Sequence, residues 1–135
     1  MAALIGERWQ GAAVGVDDAL YVSLRGTPSA ALLLAGRPVR GAHHRAGTLA
    51  ATLDGEEPAR FAGRLADVTA LLDPEVVLLD GSPQLLEELV PRLQEAIDEV
   101  APGPVVAASG LGEEAALIGA LRIADTLAYE GGRSG

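Results

Sequence analysis

The stretch Glu75-Val76-Val77-Leu78-Leu79-Asp80 constrains this chain more than any other. Four consecutive apolar residues between two acids leave no polar face. The run reads as a strand buried on both sides, as in a parallel sheet covered by helices. Its flanks agree. Upstream, Phe61, Leu65, Val68 and Leu72 fall at helical spacing behind Pro58, a residue suited to a first helical turn. Downstream, Gly81-Ser82-Pro83 turns the chain, with Ser82 placed to cap a helix and Pro83 at its first position. Leu86, Leu89, Val90, Leu93, Ile97 and Val100 then trace an apolar stripe. Pro91 interrupts it. An interior proline costs ~3 kcal/mol or kinks a helix, so a bend is expected at residues 87–91.

The remaining elements follow from turn chemistry. Residues 1–14 read as a helix with Leu4, Ile5, Trp9, Ala12 and Ala13 on one side, stopped at Gly15. Residues 19–24 and 29–35 read as two strands joined by Arg25-Gly26-Thr27-Pro28, a hairpin. A third strand is expected at 48–53, after a loop containing Gly41-Ala42-His43-His44. The last strand is expected at 104–109. The last helix should begin at Glu113, whose charge, with that of Glu114, suits a helix N-terminus. Residues 130–135 should form a frayed tail. The order is αβββαβαβα, a mixed five-stranded sheet with helices on both faces and right-handed crossovers. This is the element order of a single lobe of the ribonuclease-H-like, actin-like ATPase/sugar kinase superfamily, expected to fill residues 1–135 as one domain.

Composition narrows the chemistry. The chain has 135 residues, 49% of them apolar but only 3% aromatic, so its core must be aliphatic. The net charge is −9, there is no Lys, and the Arg residues are scattered, which argues against gripping a nucleic-acid backbone. Without Cys there is no disulfide, thiol nucleophile or thiolate zinc site. No apolar run approaches the ~20 residues of a membrane span, and no signal peptide is visible, so the expected location is cytoplasmic. The Arg-only, Ala-rich usage suggests a high-GC bacterial gene.

Four stretches in order resemble the ROK (repressor/ORF/kinase) family. They are Met1 to Leu4 with Gly6-Glu7 and Gly11, continuing through Gly15-Val16-Asp17-Asp18 and Tyr21-Val22-Ser23; Gly36-Arg37 with Arg40-Gly41-Ala42-His43 and Ala46-Gly47; Leu72 to Leu78 with Gly81; and Ser109 to Ala120. The resemblance covers nearly the whole chain and is to the C-terminal lobe. It implies a fold shared with ATP-dependent sugar kinases and sugar-responsive regulators.

The departures from that family weigh more for function. Family kinases carry a catalytic Asp in an Asn-Asp pair just ahead of the residues matching Met1, and the pair is not in this sequence. Their phosphate loop is rich in Gly and Thr; the matching stretch here is Arg25-Gly26-Thr27-Pro28-Ser29-Ala30-Ala31, in which Pro28 removes an N–H donor. Their sugar-binding Glu and His fall in Gly47-Thr48-Leu49-Ala50-Ala51, where neither survives, and the Cys-rich zinc loop is missing.

The resemblance thus implies Gly81, Ser82 and Gly110 as a nucleotide-side remnant, and His43 and Thr48 as a sugar-side remnant. Local chemistry alone reads the same residues as a helix cap, tight turns and a loop. No catalytic residue, metal site or resident cofactor is expected, ATP/Mg binding surviving only as a weak remnant. The first strand supplies no acid for a two-metal nuclease, and no Ser has a His–Asp pair beside it. The expected function is a non-catalytic C-terminal lobe of a sugar-responsive ROK regulator-like protein, acting in effector binding or oligomerisation. The alternative is a fragment of a glucokinase-like ROK enzyme that needs its N-terminal lobe. The expected partners are a second copy, forming a homodimer, and a small sugar effector, without nucleic acid or membrane.

Overall fold

A computed structural model describes residues 1–26, 28–47 and 57–133. Helix α1 (Ala2–Gln10) is followed by strands β1 (Ala19–Ser23), β2 (Ser29–Leu34) and β3 (Arg37–Pro38). Then come α2 (Pro58–Leu72), β4 (Val76–Asp80), α3 (Pro83–Val100), β5 (Val105–Ala108) and α4 (Ala115–Arg133), the last entered through a 3-10 turn at Gly112–Glu114. The sheet order is β3-β2-β1-β4-β5. β1 pairs antiparallel with β2 and parallel with β4, Leu20 opposite Val77, and β4 pairs parallel with β5.

Every residue of β4 is buried, as its sequence requires. The alternation along the strands divides two cores. Leu20, Val22, Val77 and Leu79 meet Phe61 and Leu65 of α2 and Leu89, Leu93 and Ile97 of α3. Tyr21, Ala31, Leu33 and Leu78 on the opposite face meet Leu4 of α1. Four helices around a mixed five-stranded sheet give the α/β architecture expected.

Three details differ from the sequence reading. α1 stops at Gln10 because the next turn is claimed by Glu7: its backbone carbonyl accepts from the Gly11 and Ala13 amides, and its side chain accepts from the Ala12 amide. The third strand among the described residues is β3; the expected strand at 48–53 lies outside them. β3 follows a two-residue turn in which Ala35 and Gly36 both have positive φ, 50° and 73°. Asp18 makes the non-glycine position tenable by accepting from the Ala35 amide, and the Asp17 carbonyl accepts from Gly36. α3 runs through Pro91 as one 18-residue helix. α4 runs on to Arg133, into the stretch expected to fray.

Two contacts fix the periphery. α4 crosses α1 at two glycines, so close that a Cβ on Gly119 would lie 1.6 Å from the Ala2 carbonyl oxygen and one on Gly6 2.1 Å from that of Ala115. At the outer edge of the sheet, the Gln94 side chain accepts from the Val106 amide at 2.8 Å and donates to the Pro104 carbonyl at 3.0 Å. The α1–α4 crossing should therefore tolerate no side chain. Gly119→Val is expected to lower stability by ~3 kcal/mol or more, at the upper end of overpacking costs, and urea unfolding of the variant beside the parent chain measures it.

Candidate active-site crevice

The C-terminal ends of β1, β4 and β5 open into a crevice, the usual ligand position in an open α/β sheet. It has a volume of about 430 Å³, and its walls include Ala2 and Ala3 of α1, Tyr21, Arg25, Asp80 and Gly112. β4 carries Asp80 to the crevice floor because its alternation ends there, and the side chain stays almost fully buried. Arg25, just past β1, lies across it. The Arg25 Nε donates to Asp80 Oδ1 at 3.0 Å, and Nη2 donates to the Gly81 carbonyl at 3.2 Å. The guanidinium thus pins β1's exit to β4's exit.

Behind this pair lies a second polar knot. Glu7 is fully buried on α1. Its carboxylate accepts from the amides of Ala12 at 2.8 Å, Gly110 at 3.1 Å and Leu111 at 3.0 Å, and from the Ser109 hydroxyl. The Ser109 Oγ in turn accepts from the Gly112 amide at 3.0 Å. An acceptor-only group with several donors around it is the arrangement that makes a buried carboxylate tenable. Tyr21 is buried beside Asp80, and that burial, together with the negative charge of Asp80, raises its pKa far above the ordinary tyrosine value.

The residues singled out on the nucleotide side converge. Leu79 lies opposite Ala108 in the parallel ladder, so Gly81 and Gly110 follow on neighbouring strand exits. Each is already engaged. The Gly81 carbonyl holds Arg25, the Ser82 hydroxyl caps α3 by accepting from the Leu85 amide at 3.3 Å, and the Gly110 amide is turned into Glu7. On the sugar side, His43 sits in an exposed loop and Thr48 lies outside the described residues. His44, not His43, lines a groove on another face of α1. Among the described residues no three of His, Asp and Glu gather as a metal-ligand set, and no helix is long and apolar enough to cross a membrane. Sequence reasoning missed Glu7, Arg25 and Tyr21 as site residues. Glu7 carried a signal, as an acid among the apolar residues of α1.

No known family profile matches the chain, and no curated protein matches it. Solved structures do. A ROK family glucokinase from Streptomyces griseus matches over 90% of this chain and 65% of its own, at 19% identity and a TM-score of 0.68. A ROK hexokinase from Thermus thermophilus matches over 88% and 61%, at 21% identity and 0.68. A ROK family transcriptional regulator, a homologue of the E. coli MLC protein, matches over 88% and 48%, at 18% identity and 0.71. The chain has the ROK fold. These matches leave more than a third of each ROK protein's length uncovered. Both kinases and a regulator share the ROK lobe seen here, so the lobe by itself does not select between them.

Two outcomes follow from the knots. Glu7→Gln replaces one accepting oxygen with an NH₂ facing amide donors, and is expected to cost on the order of 3 kcal/mol, as for hydrogen bonds to charged groups; chemical denaturation checks this. The sign for Tyr21 follows from its raised pKa. The folded state holds the phenol proton more tightly than the unfolded chain, so this stabilisation is intact below pH ~10 and falls as pH climbs past the unfolded tyrosine value. Tyr21→Phe should flatten that alkaline loss, read as denaturation midpoints across the alkaline range.

Proposed function

We propose that this chain is a non-catalytic ROK lobe that serves effector binding or self-association in a sugar-responsive protein. The observation that carries the reading is the Arg25–Asp80–Gly81 latch over the crevice, backed by the Glu7 knot. Phosphoryl transfer depends on donors and cations held open for phosphate oxygens. Here the Gly110 and Leu111 amides serve Glu7, and Arg25 spans Asp80 and the Gly81 carbonyl. A nucleotide would have to displace a paired, part-buried cation to enter.

Self-association has its own support. Leu117 and Leu121 lie one helical turn apart on α4 and are both more than half exposed. On α1, Leu4 is fully buried in its own core and Ile5 is partly covered, while Trp9 is exposed. The exposed leucines favour α4 as the self-association surface. Soluble monomers rarely leave contiguous apolar patches exposed, and a twofold pairing is the commonest cover.

Titration with Mg-ATP, with and without glucose, is expected to give no saturable heat and no phosphorylated sugar. Phosphorylation of sugar by the purified chain would refute the non-catalytic reading and favour the kinase-fragment alternative. Sedimentation is expected to show a dimer that Leu121→Glu converts to monomer; a parent chain that stays monomeric at high concentration removes the oligomerisation part.

A further inference from the structure

A groove larger than the crevice, about 840 Å³ in volume, lies between the Ile5, Arg8 and Trp9 side of α1, α4 and the β2–β3 edge. Its volume is that of a small-molecule site, which is commonly ~300–1,000 Å³. Its floor and walls include Ile5, Leu33, Val39, Ile123 and Leu127.

The lining of the groove contrasts with the composition of the protein. The chain holds 19 acidic residues and 10 basic ones, yet the described residues that line the groove include Arg8, Arg40, Arg122 and His44 and no Asp or Glu, with Asp17 and Asp125 beside two of the arginines. The sequence shows how this arises: no acid occurs between Ala19 and Leu53, while Arg37, Arg40 and Arg45 cluster within that interval. Arginines that look scattered along the chain are brought to one place by the fold. Two of them are oriented. Arg8 is held by Asp17 at 2.8 Å and by the Val16 carbonyl at 3.0 Å. Arg122 lies 5.3 Å from the centre of the Trp9 ring, a cation–π distance, with Asp125 at 3.5 Å.

We infer that this groove binds an anionic amphiphile: an apolar body over Ile5, Leu33, Ile123 and Leu127, and a carboxylate met by the arginines. The lining decides against a sugar, whose hydroxyl protons seek acceptors. Guanidinium groups only donate, and Thr126 supplies the one side-chain hydroxyl among the described lining residues. A carboxylate matches guanidinium donors directly. The inference concerns a different face from the crevice and goes beyond the sugar-responsive reading, so each can fail without the other.

Trp9, the only tryptophan, makes the test direct. Decanoate titrated into the full chain should change Trp9 emission saturably, and calorimetry should give the same affinity. Decanol, which has the body without the charge, acetate, which has the charge without the body, and glucose should each bind at least tenfold more weakly. Arg40→Gln and Arg122→Gln each replace an exposed residue, so their unfolding midpoints should match the parent's, while decanoate affinity falls about tenfold. Equal binding of decanol, or unchanged affinity in both variants, would overturn the inference, as would a non-saturating response. A Trp9 signal that shifts with protein concentration before any ligand is added would assign the groove to a second copy and overturn it as well.

Discussion

The Glu7 carboxylate is the interaction on which the rest of this structure depends. A charge taken wholly out of water is tenable only where donors surround it. Three amides and a hydroxyl do so here, drawn from the end of α1 and from the turn after β5. Those partners lie up to 104 residues away in sequence. The bond set therefore fixes α1 against the last strand, sets where α1 must stop, and orients the turn that leads into α4. The glycine crossing of α1 and α4 is the packing counterpart of the same constraint.

The polar set that spreads outward from Glu7 begins with Ser109, and beyond it Arg25 pairs with Asp80, with Tyr21 buried beside Asp80. It crosses the exits of three adjacent parallel strands, the place where this architecture offers a ligand its polar contacts. In this chain those contacts are made internally. The Gly110 and Leu111 amides face Glu7, and Arg25 faces Asp80. A larger open groove, lined by Arg8, Arg40 and Arg122, lies on another face, between α1, α4 and the β2–β3 edge.

Much of the fold was legible because its signals are local. The apolar run of β4, the Ser82–Pro83 helix start and the spacing of Leu89, Leu93 and Ile97 each state their environment within a few residues, and the four-stretch resemblance placed the lobe correctly. β3 was not legible, since two residues make no period and the turn before it relies on an Asp18 side chain 17 positions away. Pro91 lies inside α3 because an exposed turn can lose one backbone bond without ending the helix. The site was legible only by position. Gly81 and Gly110 were placed at strand ends, but what occupies their backbone groups is set by Glu7 and Arg25, and such long-range pairings leave no local pattern.

The Gln94 contact at the sheet margin has a consequence for how this protein behaves in a crowd. β5 is an edge strand whose outward amide and carbonyl could template another chain, the usual route to edge-to-edge aggregation. The Gln94 amide occupies the Val106 N–H and the Pro104 carbonyl as a neighbouring strand would. Among the described residues the opposite margin ends in β3, only two residues long, one of them charged and the other a proline without an N–H. Each described margin thus carries a guard against a further strand, one a side chain that imitates a backbone and the other a residue that lacks the donor.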